Sequence, residues 1–272
     1  MKYLIFGNGY LGNKFHRKID GSEITDTDIA NIDAVELILE EKKPNVVINC
    51  AGVTGKPNID WCEDHKEEAM YSNVVGPLNL AKACLDKDIF FVHLGSGCIY
   101  QGDNDKKGFS EEDIPDITSM PSFYSLTKFV SEYMLKNFPV LQARLRMPLD
   151  SESGPRNLIT KITNYENVIN EPNSMTVIDD LINAVIELIE KRKTGIYNVT
   201  NPGEITHKEI LDMYKELVDP NFKYTLISLE ELNKITKAGR SNCILNTRKL
   251  EEEGIKLPEI HETVRMVLKN YK

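Results

Sequence analysis

Three side chains set the chemistry that this sequence offers: the hydroxyl of Ser96, the phenol of Tyr124 and the ammonium of Lys128. Tyr124 and Lys128 are four residues apart in Tyr124-Ser125-Leu126-Thr127-Lys128, a segment that follows Pro121 and opens an amphipathic helix. That spacing is about one helical turn, so both groups share a face, where the positive charge is expected to lower the phenol from its ordinary pKa of about 10 toward neutrality. A phenol tuned in this way donates a proton to a carbonyl oxygen, and Ser96 is expected to hydrogen-bond the same oxygen. Taken alone, a tyrosine and a lysine at this spacing are usually a surface or core pair. The start of the chain reverses that reading, because it carries Gly7-Asn8-Gly9-Tyr10-Leu11-Gly12.

This GxGxxG turn follows the apolar run Lys2 to Phe6 directly and leads into a helix through about Ile19. Gly7 permits the tight turn, Gly9 lets the backbone approach a pyrophosphate, and Gly12 lets helix and strand pack closely; the helix N-terminus adds N–H groups and a positive dipole. A dinucleotide cofactor is the expectation. The acidic residue that reads a ribose about 20 residues further on is not evident, since Glu23, Asp26 and Asp28 fall in the window without an apolar strand leading into one of them. With no carboxylate set against a 2′-phosphate, and with Arg17 on the first helix as a cation for it, NADPH is the expected cofactor and NADH the alternative. A surface ion pair is the competing reading of Arg17.

The elements that must hold these groups follow from periodicity. Phe90 to Leu94 is a short apolar run ending at Gly95, a buried strand that delivers Ser96 to the carboxyl edge of a sheet. Asn45 to Asn49 is another, ending in Cys50-Ala51-Gly52, where small residues let the backbone run beside the dinucleotide. Ala34 to Lys42 and Glu67 to Leu85 read as helices, the second with Asn73 among apolar neighbours, where its amide is expected to bridge backbone groups near the site. Leu141 to Met147 alternates and is stopped by Pro148. The recurrence of strand and helix predicts an α/β fold: a Rossmann-type doubly wound parallel sheet over residues 1–148, with ligands at the strands' carboxyl ends, where Gly7 and Ser96 both fall. Residues 149–272 are expected to form a small mixed α/β substrate lobe packed on the sheet domain. Within it a helix at Asp179 to Lys191 and a strand at Gly195 to Val199, part of a stretch at about 176–200, return to the first domain. Thr206 and Glu209 make a capping box for a helix reaching Leu217, and a last helix runs from about Ile260 to Tyr271.

Composition narrows the partners. A formal charge of -9 with pI near 5.2 argues against nucleic-acid and membrane surfaces, which would repel the chain. Cys50, Cys62, Cys84, Cys98 and Cys243 form no CxxC pair and no cluster with the five histidines, so no metal is expected and the thiols read as reduced, in a cytoplasmic protein. Met1-Lys2 leads straight into a strand with no signal peptide, and no apolar run approaches the roughly 18 residues of a membrane span.

The order GxGxxG, Ser96, Tyr124-xxx-Lys128 resembles the extended short-chain dehydrogenase/reductases, whose members mostly act on nucleotide-linked sugars. Within them, His93-Leu94-Gly95-Ser96-Gly97-Cys98-Ile99-Tyr100 resembles the corresponding segment of the epimerase-reductases, including GDP-fucose synthase. Longer stretches are similar to the plant-type rhamnose synthase epimerase-reductases: Ala51 to Glu63, Arg144-Leu145-Arg146-Met147-Pro148, Pro155 to Ile162, Asn170 to Thr176, Asn201-Pro202-Gly203 and Arg240-Ser241-Asn242. The resemblance covers nearly the whole chain.

It implies conversion of UDP-4-keto-6-deoxyglucose to UDP-L-rhamnose, by epimerisation at C3 and C5 and then reduction at C4 with NADPH. The C4 ketone acidifies both neighbouring hydrogens, so one base and one acid on opposite ring faces suffice for inversion. By resemblance Cys98 is the base and Lys161 the opposing acid. For the thiol to serve, nearby positive charge is expected to lower it from its ordinary value of about 8.5. Tyr124, Ser96 and Lys128 then serve the reduction, with Lys128 also holding the nicotinamide ribose. The cofactor set is Gly7, Asn8, Gly9, Tyr10, Leu11, Gly12, Ala51, Gly52, Asn73, Tyr124 and Lys128, and the substrate set is Thr54, Asn58, Trp61, Arg156, Asn157 and Arg240. Arg156 is assigned to the sugar and Arg240 to the diphosphate, because guanidinium forks suit phosphate oxygens; a structural ion pair is the equal reading of Arg240. Trp61 is open between packing anchor and substrate contact. The related plant enzymes often carry a 4,6-dehydratase ahead of this unit, for which this chain has no room, so a separate dehydratase is expected to supply the keto sugar. A homodimer is expected from fold analogy. Two rivals are a reductase alone, resembling dTDP-4-dehydrorhamnose reductase, and a non-catalytic NADP-binding regulator resembling the beta subunit of methionine adenosyltransferase. Cys98 and Lys161 argue against the first, and the intact Ser96, Tyr124 and Lys128 against the second.

Overall fold

Val46-Val47-Ile48 and Phe91-Val92-His93-Leu94 are buried on both sides of the chain, as strands of a parallel sheet covered by helices must be. The computed structural model describes residues 1–272 and contains that sheet. Its first half runs β1 (Tyr3–Phe6), α1 (Tyr10–Lys18), β2 (Glu23–Thr25), α2 (Ile32–Lys42), β3 (Val46–Asn49), the short α3 (Trp61–Asp64) and α4 (Lys66–Met70), α5 (Gly76–Asp86), β4 (Phe90–Ser96), α6 (Phe123–Leu135) and β5 (Val140–Leu145). The second half runs β6 (Pro148–Leu149), α7 (Leu158–Thr163), β7 (Asn167–Val168), β8 (Thr176–Val177), α8 (Ile178–Glu190), β9 (Gly195–Asn198), α9 (His207–Leu217), β10 (Thr225–Leu226), α10 (Leu229–Ile235), α11 (Arg248–Glu252) and α12 (Ile260–Lys269).

The six-stranded sheet has the order β2-β1-β3-β4-β5-β9, every neighbouring pair parallel. From β1 the chain steps outward to β2 and then crosses back to β3 on the other side of β1. The crevice opened at that reversal is where ligands bind in sheets of this kind, and the glycine turn lies at its mouth. Gly7 has φ +100°, and a Cβ at Gly12 would collide with the Gly7 carbonyl oxygen, so both positions need glycine for shape alone.

One sheet face carries Ile5, Ile48, Val92, Leu141 and Ala143 against Phe15 of α1 and Leu181, Val185 and Leu188 of α8. The other carries Leu4, Phe6, Val47 and Phe91 against α2, α5 and α6. A separate core of Leu149, Ile159, Ile162, Ile210, Val264 and Leu268 holds the lobe together through α7, α9 and α12. No helix is long and apolar enough to cross a membrane.

Two expectations change, and two placements could not be read from the pattern. The alternation of β5 does not mark a solvent face: all six residues are buried, because β9 pairs beyond it and because its polar side chains find partners inside. Arg144 is bidentate on Glu132 of α6 at 2.6 and 2.7 Å, and Gln142 donates to the Glu132 carbonyl. The single helix expected over Glu67 to Leu85 is interrupted by a π-turn at Tyr71–Val75 between α4 and α5. The widened turn holds Asn73 at 1% exposure, facing the glycine loops. Return of chain to the sheet domain also extends beyond residues 176–200, since Leu250 of α11 and Ile255 pack in the first core. Finally, chain around Cys243 and Leu245 bridges to Gly102 and Phe109, which brings the lobe beside the turn that follows β4.

Candidate active site

β4 ends at Ser96, and the 3₁₀ turn Gly97–Ile99 follows with Ser96 as its cap. The Ser96 Oγ accepts the Cys98 N–H at 3.3 Å and donates to Cys98 Sγ at 2.9 Å, so the two-residue spacing puts hydroxyl and thiol side by side. α6 starts beside them. Ser122 caps it by accepting the Ser125 N–H at 3.0 Å, and Glu63 of α3 accepts the Phe123 N–H at 2.7 Å. These two bonds fix where Tyr124 enters, with its phenol against Ser96.

The electrostatics correct two expectations. Burial raises Tyr124, the neighbouring Cys98 and Cys62 add to the rise, and Ser96 and Arg146 only partly oppose it. Lys128 is not among the main influences on the phenol: its ammonium turns to β4, where it donates to the Leu94 carbonyl at 3.0 Å and lies 3.4 Å from His93 Nε2. Lys128 is itself pushed down to about 8 by burial. Tyr124 therefore keeps its proton, which suits a group that gives one up only as a strong oxyanion forms. Cys98 is likewise raised by burial, against the opposing pull of Ser96, Arg146, Ser125 and Lys128. In this state it is a thiol, and the expected thiolate needs further charge stabilisation.

On the cofactor side, Gly9 caps α1 with no side-chain hydrogen bond to its first N–H groups. A Cβ at Gly9 would meet nothing within 4 Å. An uncapped helix start facing open space is a cradle for a pyrophosphate, so the residues present fit a dinucleotide. Asn8 accepts from Asn13 at 2.9 Å, Tyr10 donates to Asp150 at 3.1 Å, and Leu11 packs against the first core. Asn73 clamps the Val53 backbone at 2.8 and 2.9 Å and donates to Thr127 at 3.1 Å, so it shapes the wall at Ala51 and Gly52 from behind. The ribose reader needs correction. β2 does form, and Asp26 follows it directly and is exposed, which places a carboxylate at the strand end. Arg17 lies in the last turn of α1, about 10 Å of helix from the glycines, and pairs with Glu152 at 3.1 Å. It is a surface ion pair.

On the substrate side, Arg156 donates to Thr54 Oγ1 at 2.7 Å and to the Gly55 carbonyl at 3.0 Å, tying the loop after β3 to α7. Lys161, on α7, is lowered by burial and by the Arg156 charge. Asn157 is corrected: it is fully buried and uses its amide on Ile159, Asp150 and Glu152 as the cap of α7, leaving nothing for a ligand. Asn58 accepts the Asp60 N–H at 2.8 Å, and Trp61 stacks on His65 at 3.9 Å, as a packing anchor does. Arg240 pairs with Asp60 at 2.8 Å, the structural reading of that residue. Two buried groups were not singled out from the sequence, His93 and Arg146. An ionisable residue inside the apolar run Phe90 to Leu94 was the available signal for the first.

A protein-family model described as the RmlD substrate binding domain matches residues 1–272. A bifunctional dTDP-4-dehydrorhamnose 3,5-epimerase/dTDP-4-dehydrorhamnose reductase of Arabidopsis thaliana is 42% identical over 274 residues, covering 96% of this chain and 90% of that one. A trifunctional UDP-glucose 4,6-dehydratase/UDP-4-keto-6-deoxy-D-glucose 3,5-epimerase/UDP-4-keto-L-rhamnose-reductase of the same plant is 40% identical over 276 residues, covering 97% of this chain but 41% of the longer protein. Among solved structures, the L780 UDP-rhamnose synthase of Acanthamoeba polyphaga mimivirus superposes with a TM-score of 0.94 at 36% identity, covering 99% of both chains.

Proposed function

The chain belongs to the RmlD substrate-binding-domain family, and from that premise we propose that it is a nucleotide-sugar 3,5-epimerase/4-reductase that converts UDP-4-keto-6-deoxy-D-glucose to UDP-L-rhamnose with NADPH. The observation that carries the reading is the position of Ser96, whose hydroxyl bonds Cys98 Sγ at 2.9 Å and lies against the Tyr124 phenol. The base of the epimerisation and the acid of the reduction thus share one hydroxyl, as two reactions on one bound ring require.

Cys98 takes a proton from the ring carbon beside the C4 ketone, and Lys161 returns one from the opposite face. Tyr124 then protonates the C4 oxygen while Ser96 holds it by hydrogen bond. Gly7 to Gly12 would cradle the cofactor, with Ala51 and Gly52 at its border, and the chemistry it would supply when bound is a hydride for C4. Arg156 and Thr54 position the sugar. The keto sugar comes from a 4,6-dehydratase, and the protein works as a cytoplasmic homodimer.

Incubation with UDP-4-keto-6-deoxyglucose and NADPH in deuterated water, beside Cys98→Ala, tests this. The parent is expected to make UDP-L-rhamnose carrying deuterium at C3 and C5, and the variant to lose that label. Consumption of NADPH only after a separate epimerase is added would leave a reductase alone and remove the epimerase half of the reading.

A further inference from the structure

A buried thiol raised by burial is a poor base, and something in the site must hold it as thiolate when the proton is taken. Lys128 faces it but is itself lowered to about 8, so its charge is lost in mildly alkaline solution. Arg146 is the remaining cation. It directly follows β5, is 5% exposed, and unlike Arg144 it has no carboxylate partner. Its hydrogen bonds go to neutral oxygens, the Asn173 side chain at 2.6 Å and the Ser241 carbonyl, and its Nε–H has no partner.

A buried guanidinium without a counter-anion is costly unless an anion arrives. The backbone shows how it is held: Met147, the next residue, has φ +41°, a conformation unfavourable outside glycine, and this turn leads β5 into β6. The Arg146 Cδ lies 3.3 Å from where a Cβ on Gly97 would sit, so its stem runs against the very turn that carries Cys98. The groups that act most strongly on Cys98 are Ser96 from β4, Ser125 and Lys128 from α6, Arg146 just after β5 and the Tyr124 phenol. Cys243 bonds the Gly97 carbonyl at 3.0 Å from the lobe. None of these is a carboxylate, and on the far side of Arg146 lies the buried His207 of α9, which burial and the Arg146 charge keep neutral.

We propose that Arg146 is the positioning residue for the base: the permanent counter-cation that makes the Cys98 thiolate accessible, with Ser96 Oγ–H as its hydrogen-bond donor. In the step it supports, the C–H bond beside the ketone breaks, an S–H bond forms, and the electron pair moves onto the ketone oxygen as an enolate. No electrons are gained or lost overall, and a proton returned to carbon from the opposite face restores the ketone. The role rests on Cys98 acting as the base, and the test separates the two.

The rate at which iodoacetamide alkylates Cys98, followed by mass mapping of the peptide across pH, reads the thiolate without any substrate. Arg146→Met, of similar length without charge, is expected to slow alkylation at pH 7.5 by about tenfold or more and to move its midpoint to higher pH, with Arg146→Lys near the parent. Superimposable profiles in folded parent and Arg146→Met overturn the proposal, whatever the sugar assay shows. Where Arg146→Met does not fold, Cys98→Asp against Cys98→Asn reads the same field: pairing with Arg146 predicts the higher melting temperature for the aspartate at pH 7.5, and the reverse order overturns it. Loss of the Cys98 shift with label still entering C3 and C5 of the product refutes the arginine's role alone. A clear shift with no label at either carbon refutes the epimerase reading instead.

Discussion

His93 Nε2 lies 3.4 Å from Lys128 Nζ, and the direction of that contact sets the charge of both residues. Asn49 Oδ1 accepts the Ala51 N–H at 3.0 Å, so its amide nitrogen is what meets His93 Nδ1 at 3.1 Å. Nδ1 is then the acceptor, and Nε2 carries the proton toward Lys128. An ammonium has no lone pair to receive it; a neutral amine does. Burial acts in the same sense, keeping His93 uncharged and bringing Lys128 down to about 8. The loop at Cys50 to Gly52 is thereby linked, through Asn49 and His93, to the lysine of the reduction site.

It follows that kcat/KM for carbonyl reduction, which reports the free enzyme, should fall above about pH 8 as Lys128 loses its proton. Tyr124 adds no loss in that range because its proton is held more tightly than usual. His93→Asn presents a side-chain oxygen that an ammonium can bond, so the break should move to higher pH. An unmoved break in that variant would remove His93 from the account.

Lys128 also predicts a trade between activity and stability. Its ordinary value is 10.5, lowered in the fold to about 8, so between those values the unfolded chain binds more protons and stability rises with pH. Below about pH 8 the fold bears the whole cost of a buried charge. Lys128→Met relieves it while leaving the Leu94 carbonyl without its donor, and a net gain of order 1–2 kcal/mol is expected in a melt at pH 7. Reduction should drop by about a hundredfold or more. A variant less stable than the parent at pH 7 would show that the Leu94 bond outweighs the charge.

The parallel sheet and the glycine turn were legible, and Ser96, Tyr124 and Lys128 could each be nominated, because each rests on a local pattern: an apolar run, a spacing of four, a glycine turn. What could not be read was set by which partners the folded chain brings to a polar side chain, whether those partners lie near or far in sequence. Arg144 is buried by Glu132 and β9, and Asn157 is consumed by Asp150 and Glu152, so types that suggest a surface or a ligand are interior structure. The two pKa expectations failed for one reason. Spacing places charges side by side but says nothing of burial, and for Tyr124 and Cys98 burial is the larger effect.

The two glycines at the start of α1 should respond differently. At Gly12 a Cβ strikes the Gly7 carbonyl, so Gly12→Ala should cost about 2 kcal/mol or more in stability. At Gly9, with φ -101° and open space around the new carbon, Gly9→Ala should change stability by no more than about 0.5 kcal/mol. Its NADPH affinity, measured by fluorescence titration, should nevertheless weaken by about tenfold or more, because the methyl group occupies the approach of the pyrophosphate. Unchanged affinity in Gly9→Ala would put the cofactor elsewhere.

Asp26 follows β2 at the position where sheets of this kind meet the adenosine ribose. Its carboxylate would weaken the hold on the 2′-phosphate of NADPH without preventing it. Asp26→Asn is therefore expected to lower KM for NADPH relative to NADH by several-fold, with kcat unchanged, whereas Arg17→Ala, which breaks only the pair with Glu152, should leave that ratio alone. Equal effects of both variants would contradict the placement of the ribose.

Arg156 does two things that one substitution can separate. It bonds Thr54 and Gly55, and its charge helps hold Lys161 below the ordinary lysine value. Arg156→Gln retains donors for the loop and removes the charge. Burial alone then acts on Lys161, so its ammonium should persist to higher pH than in the parent. If Lys161 is the acid that returns the proton during epimerisation, the alkaline limb of deuterium incorporation into the product should move upward in Arg156→Gln while the break in reduction assigned to Lys128 stays near pH 8. Movement of both limbs would mean that one field controls the two lysines, and movement of neither would take the proton donor away from Lys161.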